Sequence, residues 1–279
     1  MNIVKTIEDV RTQVKAWKNQ GYSVALVPTM GYLHEGHESL IKRAAKENEK
    51  VVVSIFVNPT QFGPNEDLAS YPRDLDRDVK LCEASGAHLI FTPEVFEMYC
   101  PDAVTNVSVG ELTTGLCGAK RPGHFDGVCT VVSKLFNIIP AHKAYFGEKD
   151  AQQLAVIKRM VRDLNFDIEI IGCPIVREED GLAKSSRNTY LSAQEREAAL
   201  ILSKSLTKAK ESLCSGEKSV NFLKKVIKTE LQSEPLAKID YIEVVDALSL
   251  NSINLIEKPI LVAIAVFIGK TRLIDNFIW

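Results

Sequence analysis

The sequence predicts an α/β fold: a doubly wound, Rossmann-like parallel sheet followed by a smaller C-terminal α+β domain. Three observations carry this expectation. Apolar runs of strand length alternate with longer stretches of helical period through residues 7–171. The strands are nearly continuously apolar, as in Val51-Val-Val-Ser-Ile-Phe-Val, which suits a sheet covered by helices on both faces. After about residue 174 the alternation gives way to two helices and then two or three strands. Strand–helix alternation argues parallel pairing through crossovers, and the later block argues a separate α+β layer.

Strands are expected over 22–27, 51–57, 88–91, 143–146 and 167–171, and helices over 7–19, 37–48, 74–85, 127–138 and 151–164. Thr6 and Asp9 offer a cap to the first helix, and Gly21 lies shortly past its end. In the second block, Ser192 and Glu195 form a Ser-x-x-Glu capping box at the head of a helix running to about residue 213. A second helix covers 220–231, and strands follow over 240–245, 260–268 and 272–276. The domain boundary is placed between Cys173 and Pro174, giving domains of 1–173 and 174–279. No internal repeat, low-complexity tract or heptad run interrupts the pattern.

Composition excludes several classes. With 34 Lys plus Arg against 36 Asp plus Glu, the formal charge of −2 argues against a dedicated nucleic-acid or membrane-surface binder. Anion binding must come from local clusters. None of the six cysteines sits in a C-x-x-C pair, which disfavours a zinc ribbon or redox dithiol, so they are expected as buried small hydrophobes in a reducing compartment. The N-terminal residues mix charges into the first turns with no apolar signal core. The longest apolar run, 259–268, is too short to span a bilayer and reads as a buried strand. A cytoplasmic location is expected, with no nucleic-acid or membrane partner.

The informative segment is Pro28-Thr-Met-Gly-Tyr-Leu-His34-Glu-Gly-His37, between a strand and a helix. In a doubly wound sheet this junction is the carboxyl end of a strand, where ligands bind. The helix that follows points its free N–H groups and positive dipole end into that crevice. His34 and His37 add donors, and Gly36 permits close approach of a phosphate. Such an array suits charge building on an α-phosphate under nucleophilic attack. A metal site on the two histidines lacks a third ligand nearby and the H-E-x-x-H spacing. Histidines that merely cap a turn are the other bland reading.

A second donor cluster is Lys184-Ser185-Ser186-Arg187, outside any apolar period and suited to a triphosphate. Taken alone it is also consistent with a solvated basic turn. Together with an H-x-G-H loop it points to adenylyl transfer. Phe146-Gly147-Glu148-Lys149-Asp150 is a third element at a strand end. There Lys149 could reach a phosphate, while Asp150 with Gln153 also reads as a plain capping box. The long loop over 58–73 carries Gln61, whose amide donates and accepts at once; loops of this length are usually functional. The role of Arg121-Pro-Gly-His124-Phe stays open. Asp76 and Asp78 are candidate Mg²⁺ ligands that read more naturally as decoration of a solvated helix.

With those residues in view, the chain resembles the pantoate–β-alanine ligase family along essentially its whole length. The resemblance rests on six segments in the family's order. They are the 28–37 loop, Val57-Asn-Pro-Thr-Gln-Phe-Gly, Arg121-Pro-Gly-His-Phe-Asp-Gly-Val, Phe146-Gly-Glu-Lys-Asp-Ala-Gln-Gln, Leu182-Ala-Lys-Ser-Ser-Arg-Asn and Lys270-Thr-Arg-Leu-Ile-Asp-Asn. It implies ATP-dependent condensation of (R)-pantoate with β-alanine through a pantoyl-adenylate, releasing AMP and pyrophosphate.

By position it also implies an ATP site of Met30, Gly31, Tyr32, Leu33, His34, Glu35, Gly36 and His37, completed by Gly147, Glu148, Lys149, Asp150, Val176, Lys184, Ser185, Ser186 and Arg187. His37, His34 and Lys149 are the catalytic candidates. Gln61 and Gln153 are implied to hold pantoate, with Gln61 also serving β-alanine. The family implies Mg²⁺ with the nucleotide, no dedicated protein metal ligand, a homodimer formed through the N-terminal domain, and a smaller domain that closes over ATP. One departure stands out. The family often has an apolar residue such as Met where this chain has Lys184, leaving open whether that position contributes side chain or backbone.

Overall fold

The computed structural model describes residues 1–279 apart from Asn65 and Lys258. Position 65 of the loop expected over 58–73 therefore lies outside the described residues. In chain order the elements are β1 (Asn2–Val4), α1 (Ile7–Asn19), β2 (Val24–Thr29), α2 (Glu35–Glu47), β3 (Lys50–Ile55), α3 (Leu75–Ala84), β4 (Leu89–Phe91) and α4 (Val95–Met98). Then come α5 (Leu116–Lys120), α6 (His124–Ile138), β5 (Lys143–Gly147), α7 (Ala151–Asp163) and β6 (Glu169–Cys173). The remainder is α8 (Ala193–Ala198), α9 (Ile201–Cys214), α10 (Val220–Leu231), β7 (Ala237–Asp246), β8 (Ile260–Ile268) and β9 (Thr271–Ile278). Short 3₁₀ turns cover Pro59–Gln61, Glu148–Asp150 and Ser186–Tyr190.

These elements form two compact units. The first comprises Met1–Gly110, Arg121–Glu148 and Gln153–Pro174; the second comprises Glu111–Lys120, Lys149–Gln152 and Ile175–Trp279. In the first unit six parallel strands run in the order β1-β4-β3-β2-β5-β6. From β2 the chain winds outward through β3 and β4, then returns to add β5 on the other side, so the switch point lies between β2 and β5. Val24 to Val27 and Val51 to Val53 are wholly buried, because helices cover both faces. On α2 the buried residues Leu40, Ile41 and Ala44 recur at helical spacing toward the sheet.

The helix α6 is apolar on nearly every side and sits inside the unit. Its Gly127 lies so close to the 3₁₀ turn that an added Cβ would stand 2.4 Å from the Thr60 carbonyl oxygen and 2.6 Å from the Gln61 nitrogen. Glycine is what lets helix and turn touch.

In the second unit three antiparallel strands run β7-β8-β9. Val262, Ile264 and Val266 of β8, with Leu273 and Phe277 of β9, pack against Leu202, Leu206 and Ala209 of α9 and Leu223, Ile227 and Leu231 of α10. A smaller cluster gathers Leu116, Val245, Leu261 and Ala263, flanked by Ala151 and Tyr241. Among the described residues no helix is long and apolar enough to cross a membrane.

The caps expected at Thr6 and at Ser192 with Glu195 are present. Four features differ from the sequence reading. Strand β1 was not expected, since three residues at a sheet edge carry no usable periodicity. The helix expected from 192 to 213 is α8 and α9, separated at Ala199 and Leu200, whose backbones stay near helical values and so need no glycine or proline to mark the break. The short helices α4 and α5 fall in stretches to which the sequence reading assigned no element. Of the six free cysteines only Cys82, Cys129 and Cys173 are buried; Cys117 is half-buried, and Cys100 and Cys214 are exposed because they sit just past or at helix ends. Burial pushes the Cys82 and Cys129 thiols up to about 12, so both stay protonated.

Gly127→Ala should force α6 and the 59–61 turn apart. We expect a loss of roughly 1–3 kcal/mol, the usual range for overpacking, read as a lower urea midpoint at unchanged slope. An unshifted midpoint would show that the contact yields without cost.

Candidate active site

The loop after β2 is a tight left-handed turn, with Gly31 at φ 84 and Tyr32 at φ 50. A left-handed tyrosine costs on the order of 1 kcal/mol, so something must hold it. That group is Asp78 on α3. One carboxylate oxygen accepts the Tyr32 N–H at 2.8 Å, and the other accepts the Leu33 N–H at 2.7 Å. A Cβ on residue 31 would stand 3.0 Å from both the Asp78 carboxylate and the Ile55 side chain, which requires glycine there on space as well as on φ. Leu33 is fully buried and anchors the turn in the core, while the Arg77 guanidinium lies 4.9 Å from the Tyr32 ring centroid.

This corrects the expectation that Asp78 decorates a solvated helix: it is 1% exposed. The signal was present in its spacing, because Asp78 lies four residues before buried Cys82 on one face of α3. Burial lifts its carboxyl above the usual carboxylate range, partly opposed by the two N–H bonds from Leu33 and Tyr32.

His34 and His37 close the turn onto α2. His34 is the N-cap; its Nδ1 accepts the Gly36 N–H at 3.1 Å, and Nδ1 of His37 accepts the His34 N–H at 3.3 Å. The rings stand 4.2 Å apart between centroids. The capping role that competed with phosphate binding is thus real, yet it does not exclude it. Each cap bond uses Nδ1 as acceptor, so the neutral ring carries its proton on Nε2 and is a donor there. Capping engages the Nδ1 side of each ring, and Nε2 lies on the opposite side.

Gln61 ends the 3₁₀ turn after β3 and is buried. Its Oε1 accepts from Asn58 Nδ2 at 3.0 Å, and its Nε2 donates to the Met30 sulfur at 3.2 Å. The structure thereby brings together Met30 and Gln61, two residues the sequence assigned separately. Asn58 also donates to the Gly127 carbonyl at 3.1 Å and accepts from the Tyr99 hydroxyl at 2.8 Å. The Arg121-Pro-Gly-His124 segment, whose role the sequence left open, buttresses the same turn. His124 Nδ1 lies 2.8 Å from the Gln61 carbonyl oxygen, Arg121 touches His124 at 3.0 Å, and Glu66 grips the Arg121 guanidinium with both oxygens. Burial pushes the Glu66 carboxyl up, but the bonds and charge of Arg121 outweigh it and leave it below the usual range. Asn58 lay within the 57–63 segment and Glu66 within the 58–73 loop without a role assigned to either, and Tyr99 had no legible motif.

The other expected residues fall as follows. Gly147 ends β5 and Glu148 follows it, both in the first unit, as is half-buried Gln153 on α7. Lys149, Asp150, Val176 and Lys184 to Arg187 belong to the second unit. There Lys184 N–H donates to the Val176 carbonyl at 2.9 Å, and Ser185 Oγ accepts the Arg187 N–H at 3.3 Å. Gln152, next to Gln153, is fully occupied with structure. Its Oε1 accepts from Cys117 and Gly118, and its Nε2 donates to Leu112 and Gly115.

A switch-point crevice with a helix N-terminus, two Nε2–H donors and a buried amide marks an α/β enzyme of the H-x-G-H nucleotidyltransferase-like class. The comparisons with known proteins narrow this. The family model for pantoate-beta-alanine ligase matches residues 2–278. The pantothenate synthetase of Enterococcus faecalis is 70% identical over 277 residues, covering 99% of this chain and 98% of that one. The crystal structure of pantothenate synthetase from Thermus thermophilus matches with a TM-score of 0.95 at 45% identity, over 99% of each chain. The pantoate-beta-alanine ligase of Francisella tularensis, complexed with beta-gamma ATP and beta-alanine, matches with a TM-score of 0.79 at 36% identity, over 99% of this chain and 97% of that one.

The chain belongs to the pantoate–β-alanine ligase family. Its reaction is the ATP-dependent condensation of (R)-pantoate with β-alanine to pantothenate through a pantoyl-adenylate, with release of AMP and pyrophosphate.

Asp78→Ala removes both acceptors from the 31–33 turn. We expect kcat/KM for ATP to fall by about tenfold or more, since small misplacements of a site loop are costly; kinetics within twofold of wild type would refute the anchoring role. Asp78→Asn addresses titration. The native state holds the Asp78 proton more tightly than the unfolded chain, so its contribution is greatest below the unfolded value and is lost as pH rises through the native one. The difference in unfolding free energy between wild type and Asp78→Asn should therefore move against wild type as pH rises through the ordinary carboxyl value of 3.8 and on through the higher native one. A flat difference across that window would show that Asp78 titrates normally.

Proposed function

We propose that His37 and His34, through their Nε2–H groups, stabilise the charge that develops on the ATP α-phosphate, with Lys149 as a third donor. The supporting observation is the pair of Nδ1-accepting cap bonds, which set both tautomers. In the first step a pantoate carboxylate oxygen attacks the α-phosphorus in line, and the bond to the leaving pyrophosphate breaks. Donors held in place before reaction stabilise such a step without reorganising. The remaining ATP-binding set is Met30 to His37, Gly147, Glu148, Asp150, Val176 and Lys184 to Arg187. Since the Lys184 main-chain N–H is spent on Val176, its ammonium is the part we assign to ATP.

Gln61 and Gln153 hold pantoate, and Gln61 also serves β-alanine. The Gln61 amide suits this, because its Nε2 rests on a thioether, a weak acceptor that a substrate oxygen readily replaces. In the second step the neutral β-alanine nitrogen attacks the acyl carbon, AMP leaves with the carboxyl oxygen that bridged to phosphorus, and the amine gives up a proton.

Mg²⁺ enters with ATP in this reading. Both Asp78 oxygens are engaged by main-chain N–H groups, so we assign that carboxylate to the turn and leave the ion to the phosphate oxygens of ATP and water. Bound there it would neutralise phosphate charge, while the protein's own donors serve the steps above. We assign the 1–173 part to nucleotide and pantoate and the 174–279 part to the nucleotide. A homodimer follows from the family resemblance, and a cytoplasmic location from ATP as substrate and six free cysteines.

The test is pyrophosphate release with ATP and Mg²⁺, first with pantoate alone and then with β-alanine added. Sustained release should require both acids and yield AMP and pantothenate. His37→Ala should lower turnover about a hundredfold or more, as loss of an oxyanion donor does. Near-normal turnover in that variant would defeat the assigned role.

A further inference from the structure

We infer that Asp275 and Asn276, consecutive residues of β9, are positioning residues that hold two nucleotide-binding segments of the second unit in register. The inference rests on the assignment of Lys149 and residues 184–187 to ATP, and deepens it. Strand β9 is the edge of its sheet, and successive side chains on a strand point to opposite faces. Asp275 pairs in register with Ile264, on the face packed against α9 and α10; Asn276 pairs with Ala263, on the face of the smaller cluster that includes Ala151. Each face meets a different segment of the nucleotide site.

On the first face Asp275 grips Arg177 with both oxygens, at 2.7 and 2.8 Å. Arg177 in turn donates to the Gly181 carbonyl at 3.0 Å, and its backbone bridges to Ala183. This fork closes the 177–183 hairpin whose far end delivers Lys184 to Arg187. On the second face Asn276 Nδ2 donates to the Lys149 carbonyl at 2.7 Å, fixing the main chain from which the Lys149 side chain departs. The Asn276 N–H returns to Asp275 Oδ1 at 2.8 Å, so one carboxylate oxygen accepts from both Arg177 and the Asn276 main chain. Lys149, Ser185 and Asp275 line one small cleft.

Fold stability alone does not call for this arrangement. Asp275 is 2% exposed and sits between Leu273 and Phe277 on an apolar face. An apolar residue there would extend the core, and buried ion pairs replaced by well-packed apolar groups often leave stability unchanged or improved. What a buried fork does provide is a single geometry.

The experiment is a kinetic cycle on the full-length enzyme: wild type, Asn276→Ala, Lys149→Ala and the double variant, each followed by pyrophosphate release at varied ATP and at varied pantoate. Asn276→Ala should lower kcat/KM for ATP by about tenfold, the scale of a misplaced site group, while KM for pantoate stays within about twofold. In the Lys149→Ala background the same change should cost less than about twofold, because its effect runs through Lys149. Asn276→Asp, of equal size but without the donor, should reproduce the ATP effect should the alanine variant fold poorly. Arg177→Lys, which keeps the charge and loses the fork, should raise KM for ATP in the same way. An additive double variant, or equal loss toward ATP and pantoate, would reduce the pair to a structural role and overturn the inference. Impairment by Lys149→Ala with no effect of either Asn276 variant would overturn it while leaving the ATP site intact. If Lys149→Ala itself left the ATP kinetics untouched, the site assignment would fail and the inference with it.

Discussion

The carboxylate of Asp78 holds in place the turn between β2 and α2, on which the candidate site is built. Between β2 and α2 the chain must reverse sharply enough to present a helix N-terminus and two imidazoles at the switch point of the sheet. It does so through Gly31 and a left-handed Tyr32, a conformation a tyrosine does not adopt unaided. Two N–H groups in succession point at one side chain, and Asp78 accepts both. The cost of burying that carboxylate appears as its raised affinity for a proton. Strain in the turn and desolvation of the acid are thus two sides of one local balance.

From that anchor the rest of the loop follows. Leu33 is pulled into the core, His34 becomes the N-cap of α2, and His37 completes a reciprocal cap one turn on. Because the caps engage Nδ1 on each ring, both neutral histidines are set in the tautomer that carries its proton on Nε2. The same loop carries Met30, whose sulfur receives the Gln61 amide. Gln61 is in turn held by Asn58 and His124, and the absent side chain of Gly127 lets α6 press directly on its turn. Met30, Gln61 and the residues that hold them in the first unit therefore belong to one packed network.

The second unit solves a comparable problem with different parts. Its small sheet could have been apolar throughout, yet an edge strand carries Asp275 and Asn276 side by side and spends one on Arg177 and the other on the Lys149 main chain. A strand is well suited to this, since alternation delivers adjacent residues to opposite faces. In both units polar groups buried at some cost provide orientation, and apolar packing supplies the stability beneath them.

The sequence by itself determined a great deal. Apolar strands alternating with helices specified the doubly wound sheet, because period and burial are written in residue type. The strand–loop–helix setting of His34 and His37, and the Lys184 to Arg187 cluster, stood out in the sequence because polar donors gather there outside any apolar period. Only the tertiary structure decided what holds those residues. Asp78 looked like one charge among several on a solvated helix, and its burial depends on which face of α3 meets the β2–α2 turn. Gln152 and Gln153 are alike in sequence, yet four hydrogen bonds commit the first to the 112–118 segment. The roles of Arg121, His124 and Asn276 likewise rest on partners distant in the chain. Local pattern records what a residue is and which element it joins. Partners far apart in sequence meet only when the chain is folded, so the supporting contacts of the site were beyond a single sequence's reach.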